Sequence, residues 1–94
     1  MAYTIIYHPD VPKEDLSGIP RNIKDTIRRA IETRLVPDPF LAGEPLRQSL
    51  KGHRKLRIGD YRVIYRVEGG TKIIVLKIGH RKDVYSKVFS RLSG

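Results

Sequence analysis

Lys55, Arg57 and Arg62 stand close together in this chain of 94 residues, with Lys77 and Arg81 beyond them and Tyr85 four residues after Arg81. Arginine grips a phosphate through two parallel N–H donors and stabilises charge that builds on phosphoryl oxygens. Tyr85 can stack on a base, bring its phenol to a phosphate, or simply pack. His80, between Lys77 and Arg81, carries the side chain that shuttles protons near neutral pH. These residue types point to a polyanion, and nucleic acid leads.

The distribution of charge supports that direction. The chain holds 19 Lys and Arg against 10 Asp and Glu, a formal net charge of +9. Residues 1–50 carry seven of each sign and cancel, whereas residues 51–82 carry ten cations against only Asp60 and Glu68. Cations confined to one segment focus potential and gain affinity by releasing counterions from phosphates. A solvated, solubilising face is the plain alternative.

Several elements must position these groups. Ala2 to His8 is β-rich, with Tyr3, Ile5 and Tyr7 on one side and Ile6 on the other, and reads as a strand. Val11 to Gly18 suits a short helix. From Pro20 onward, Ile23, Ile27, Ala30, Ile31 and Leu35 repeat at the spacing of a one-faced helix, with Arg21, Lys24, Asp25, Arg28 and Glu32 opposite. Pro37, Pro39, Gly43 and Pro45 break that period and mark a long connection. Three β-rich runs follow, His53 to Ile58, Tyr61 to Val67 and Lys72 to Ile78, and Val84, Val88, Phe89 and Leu92 predict a short helix at the end. The expected fold class is α+β: an antiparallel sheet, made of the N-terminal strand plus a three-stranded meander, packed against N-terminal helices with a short C-terminal helix. One domain over residues 1–94 is expected at this length.

Gly59-Asp60 and Gly69-Gly70 both suit two-residue hairpin turns. With such turns Arg57 faces Arg62 and Leu56 faces Val63, while Arg62 faces Lys77, Val63 faces Leu76 and Tyr65 faces Ile74. One face then gathers Leu56, Ile58, Tyr61, Val63, Tyr65, Ile74, Leu76 and Ile78 as a core, and the other gathers Lys55, Arg57, Arg62, Lys77 and, past Gly79, Arg81. Like charges set opposite each other cost a sheet roughly 0.2–1 kcal/mol per pair, so folding alone does not account for them. A phosphate site does.

Other classes fall away. With no cysteine there is no disulfide, no thiolate metal site and no cysteine nucleophile. His8, His53 and His80 sit at spacings that suit no familiar metal site, and no cofactor is expected. The start of the chain lacks a basic leader, and no apolar run is long enough for a membrane span, so a cytoplasmic protein without a membrane partner is expected.

The segments Leu50-Lys51-Gly52, Arg54-Lys55-Leu56-Arg57, Gly59-Asp60-Tyr61-Arg62-Val63-Ile64-Tyr65 and Ile78-Gly79-His80-Arg81-Lys82-Asp83-Val84-Tyr85 resemble the RelE toxins of the RelE/ParE superfamily. The resemblance spans nearly the whole chain. It implies the toxin of a type II toxin–antitoxin pair, an mRNA interferase that cleaves mRNA in the A site of the 70S ribosome and is silenced by a RelB-like antitoxin. The implied reaction is metal-independent attack of a ribose 2′-hydroxyl on the adjacent phosphate. By position, the family's catalytic residues fall on Lys55, Arg57, Arg62, Arg81 and Tyr85; apart from the resemblance, Lys51, Lys77 and His80 are expected to contact RNA. Arg57 replaces a lysine that often serves as the base, and an arginine keeps its proton, which leaves Lys55, Tyr85 and His80 as candidates. Two other readings keep the fold: a ParE-like inhibitor of DNA gyrase, and a non-catalytic RNA-binding module.

Overall fold

The helical period from Pro20 to Leu35 is realised as one continuous rod, α1 (Arg21–Ala30) running on into a π-helical turn over Ile31–Leu35. Ile27, Ile31 and Leu35 lie one above the other along it and are all buried. The wider turn is closed by Val36 N–H donating to the Ile31 carbonyl at 2.9 Å. The computed structural model describes residues 3–92.

Before α1 come β1 (Thr4–Tyr7), a π-helical turn over Val11–Asp15 and a 3-10 turn over Leu16–Gly18. Ala2, at the head of the expected first strand, lies outside the described residues. After α1 the connection holds two elements that periodicity did not predict. One is the short helix α2 (Pro39–Ala42), capped by Asp38 accepting from Leu41 N–H at 3.1 Å; the other is the two-residue strand β2 (Glu44–Pro45). A 3-10 turn over Gln48–Leu50 leads to β3 (Arg54–Ile58), β4 (Tyr61–Glu68) and β5 (Lys72–His80), and the tail forms α3 (Val84–Lys87) and α4 (Phe89–Leu92).

The five strands lie in the order β1-β5-β4-β3-β2. The α+β architecture is the expected one, but β1 pairs with β5 in parallel, which makes the sheet mixed. The helical crossover between β1 and the meander permits this, since a parallel neighbour needs a long connection. One face of the sheet buries Leu56, Val63, Tyr65, Ile73, Val75 and Ile78 beneath Val11, Ile19 and the α1 stripe. The other buries Ile64 and Leu76 beneath Leu50, Val84 and Val88. Among the described residues no helix is long and apolar enough to cross a membrane.

The first hairpin has the expected register, with Ile58 opposite Tyr61, Arg57 opposite Arg62 and Leu56 opposite Val63 across Gly59-Asp60. The second does not. Glu68 pairs with Lys72, so Gly69, Gly70 and Thr71 form a three-residue loop, and a β-bulge at Leu76 follows. Loop and bulge each shift the pairing by one residue, so Arg62 faces Gly79 instead of Lys77, Val63 faces Ile78 instead of Leu76, and Tyr65 faces Val75 instead of Ile74. Before the bulge the parity of β5 is therefore reversed, which puts Ile73 and Val75 on the helix-covered face and Ile74 and Leu76 on the other. After the bulge it is restored, and Ile78 returns to the first core as expected.

Candidate functional site: a cationic cavity at the sheet edge

Gly59 takes a left-handed conformation (φ 59°) that lets a two-residue turn join β3 to β4, and this turn sets Arg57 directly against Arg62. The closing pair Ile58–Tyr61 of such a hairpin exchanges the strand hydrogen bonds. Arg57 and Arg62 are then a non-hydrogen-bonded pair, whose side chains stand closest. Lys55 shares their face, opposite Ile64 on β4 and Glu44 on β2. A cavity of about 310 Å³ opens there, lined by Lys55, Arg57, Arg62, Arg34, Ala42 and Glu44.

Its charge is poorly compensated. Glu44 Oε2 stands 3.9 Å from Lys55 Nζ and is largely exposed. Among the described residues no carboxylate pairs with Arg57, Arg62 or Arg34. Arg62 instead donates to the carbonyls of Gly59 (2.9 Å) and Tyr61 (2.8 Å), which holds its guanidinium at the turn. Arg81 reaches the same turn. Its backbone N–H donates to the Asp60 carbonyl at 2.8 Å and its Nε lies 3.6 Å from Asp60 Oδ1, an exposed pair that solvent weakens.

Arg81 touches the turn without lining the cavity, and the remaining sequence-predicted residues stand apart from it. Lys77 is corrected: it is nearly buried, and its ammonium donates to Asp15 Oδ1 at 2.8 Å at the open edge of β5. β1 covers β5 only from Lys72 to Val75, so the Ile78 N–H beyond it has no strand partner and donates to Asp15 Oδ2 at 2.9 Å. The same carboxylate draws in Lys77. His80 pairs with Tyr61 across the strands, the rings meeting edge to face at 5.7 Å, and its Nδ1 accepts from Lys82 N–H. Tyr85 is partly buried against the second core. Lys51 is exposed on the turn before β3.

Two charged cavity residues, Arg34 and Glu44, were not among the predicted ones. Glu44 lay in a stretch read as a connection, because a two-residue strand is too short to show a period. Arg34 follows the helical repeat without facing the sheet, and only the end of the helix, brought against the edge of β3, gives it a place. Among the described residues no three His, Asp or Glu side chains converge as metal ligands would.

A family model for the ParE toxin of type II toxin–antitoxin systems matches residues 3–85. The chain belongs to this toxin family. It is of the RelE type: it is 31% identical over 88 residues to Toxin RelG of Mycobacterium tuberculosis, covering 93% of this chain and 100% of that one. It is also 32% identical over 72 residues to Toxin RelE of the same organism, covering 76% of this chain and 74% of that one. Among solved structures, the toxin–antitoxin complex RelBE2 from Mycobacterium tuberculosis contains a chain matching with TM-score 0.79 and 29% identity, over 86% of this toxin and 100% of that chain. A double mutant of the E. coli toxin RelE in its free state matches with TM-score 0.74 over 99% of this toxin and 96% of that chain, at 17% identity, a likeness of fold.

Proposed function

We propose that this toxin is a ribosome-dependent endoribonuclease that cleaves mRNA in the ribosomal A site. The observation that carries the reading is the cavity in which Arg57 and Arg62 face each other with no carboxylate between them. A diester phosphate seated there receives bidentate donors, and the charge that develops on its oxygens meets guanidinium groups already in place.

In the proposed reaction the 2′-oxygen forms a bond to the adjacent phosphorus while the bond from phosphorus to the 5′-oxygen breaks, leaving a 2′,3′-cyclic phosphate and a 5′-hydroxyl. The 2′-hydroxyl proton must go to a base and the departing 5′-oxygen must gain one. Arg57 cannot accept a proton. Glu44, the carboxylate in the cavity lining, can, and its neighbour Lys55 can donate to the leaving oxygen. Arg62 and Arg81, gathered at the Gly59-Asp60 turn, act as the clamps, and Tyr85 and Lys51 extend the surface available to RNA.

We also propose that an antitoxin of RelB type holds the toxin inactive in the cytoplasm. In support, the RelBE2 chain that matches this toxin was solved within a toxin–antitoxin complex, as was a RelE chain from Methanococcus jannaschii matching at TM-score 0.66 and 25% identity. A chain of net charge +9 suits an acidic partner.

The test is to express the toxin briefly and map new 5′ ends on translated messages. Cuts within codons bearing 5′-hydroxyls are expected. Gyrase–DNA complexes without RNA cuts would place the toxin with ParE-like inhibitors, and crosslinking to RNA without cuts would reduce it to a binding module.

A further inference from the structure

Resting on the nuclease reading, we infer that Arg34 is a phosphate-positioning residue, supplied by the helical layer to a site otherwise built on the sheet. Arg34 sits between Ile31 and Leu35 in the π-helical turn, and both neighbours are buried, so its backbone is pinned beneath the sheet while its own side chain is exposed. The side chain runs to the edge of β3. There its Nη1 donates to the Arg57 carbonyl at 3.4 Å. That carbonyl is available because β2 pairs only with Arg54 and Lys55, and because a non-hydrogen-bonded residue turns its backbone groups away from β4.

The contact therefore places a guanidinium at the rim of the same cavity that Lys55, Arg57 and Arg62 line from the strands. One long hydrogen bond leaves most of its five donors for a ligand, and no carboxylate among the described residues is paired with it, Glu44 of the same lining standing instead by Lys55. Cations approaching from two layers fit a phosphodiester strand that runs over the edge of the sheet. Arg57 and Arg62 take the reacting phosphate and Arg34 takes a neighbouring, non-reacting one. A contact of that kind contributes binding that is equal in ground and transition states, so it sets KM and leaves kcat alone.

The test uses the purified toxin and a single-stranded RNA oligonucleotide carrying 2′-O-methyl groups, which cannot be cut. Arg34→Ala is expected to weaken binding roughly tenfold at low salt, as loss of a charged hydrogen bond does. It should also lower the slope of log affinity against log salt by about 0.7, the share of one phosphate on a single strand. Arg34→Lys should recover the slope, and both variants should melt at the parent's temperature. On programmed ribosomes Arg34→Ala should raise KM with kcat little changed. Equal affinity and slope for the parent and Arg34→Ala would overturn the inference. So would a parent that does not bind the oligonucleotide, combined with an unchanged KM on ribosomes. A parent that binds with the expected dependence on Arg34 yet never cuts would remove the nuclease reading and leave the clamp standing.

Discussion

Arg91 places both terminal guanidinium nitrogens on the Asp15 carboxylate, at 2.7 and 2.9 Å, joining the last helix to the turn that precedes α1. The same Arg91 donates to the Leu76 carbonyl at 3.0 Å, and Lys77 and the Ile78 N–H complete the ring of donors around Asp15. One carboxylate, 1% exposed, thus closes the uncovered edge of β5 and ties down the helix that covers the second core. Removing one partner of a buried ionic cluster leaves the other charges unanswered, at a cost of about 3–5 kcal/mol. Asp15→Ala is expected to lower stability by that amount, read as the urea midpoint at constant m-value, and Tm by roughly 4–8 °C for each kcal/mol. A loss below about 1 kcal/mol would show that the cluster contributes little.

Acid should act on the same carboxylate. Burial alone would push the Asp15 carboxyl up, but hydrogen bonds from Arg91, Lys77 and the Ile78 N–H outweigh it and hold the carboxyl below the ordinary range. The folded state then binds its proton less readily than the unfolded chain, so stability rises with pH through this range. The contribution is complete above the unfolded value of about 3.9 and is lost as pH falls through the lower folded value. Urea midpoints measured from pH 7 down to pH 2 should fall more steeply in the parent than in Asp15→Asn. Parallel curves would refute the assignment.

Gly43 stands where the chain passes tightly over Tyr65 and Lys55. A Cβ there would collide with the Tyr65 hydroxyl and lie 2.7 Å from the Lys55 carbonyl. Tyr65 is fully buried and its hydroxyl donates to the Pro39 carbonyl at 2.6 Å, so it has nowhere to retreat. Gly43→Ala should therefore destabilise by about 1–3 kcal/mol as overpacking does, and should shift β2, carrying Glu44 away from Lys55. Thermal melting together with cleavage assays checks both effects, and a variant as stable and active as the parent would count against this packing.

The parts of this fold that could be read from the chain are those where one face is apolar and the other is not. The stripe Ile27, Ile31 and Leu35 is one case, and the Gly59-Asp60 hairpin with its Arg57–Arg62 pair is another. The register of β5 was illegible for a physical reason: Ile73, Ile74, Val75 and Leu76 form an unbroken apolar run buried on both faces, so alternation cannot say which residue faces which core. Nothing local marks Thr71 as part of the loop or Leu76 as the bulge. Asp15 and Lys77 lie far apart in sequence, and an acid in a short helical turn carries no sign that it will close a distant strand edge. For the site, the cations on β3 and β4 were visible through parity, whereas Arg34 and Glu44 depend on how the helix end and β2 dock at the edge of β3.

Glu44 can be tested apart from the clamps. Its ion pair with Lys55 is long and exposed, so Glu44→Gln should change stability by less than about 1 kcal/mol. Loss of the proposed general base should cost about 10²–10⁴ in the rate of cutting while RNA binding holds or tightens, since one negative charge leaves a cationic cavity. Single-turnover cleavage on programmed ribosomes separates the two quantities. An unimpaired rate would pass the role of base to Lys55 or Tyr85.

Arg62 sits opposite Arg57 with no carboxylate between them, so its positive charge opposes folding even while its stem packs on the sheet. Substitution by a neutral residue of similar length therefore separates stability from activity. Arg62→Met removes a like-charge pair that costs roughly 0.2–1 kcal/mol together with the hydrogen bonds to the Gly59 and Tyr61 carbonyls, which water at the turn can replace, and should leave Tm close to the parent's. In the proposed reaction the same change takes away donors aimed at charge developing on the phosphate, which elsewhere costs about 10²–10³ in rate. A folded, inactive protein is the expected result, measured as a melting curve beside 5′-end mapping of translated message. A destabilised variant that still cuts at the parent's rate would mean that the pair serves the fold and not the phosphate.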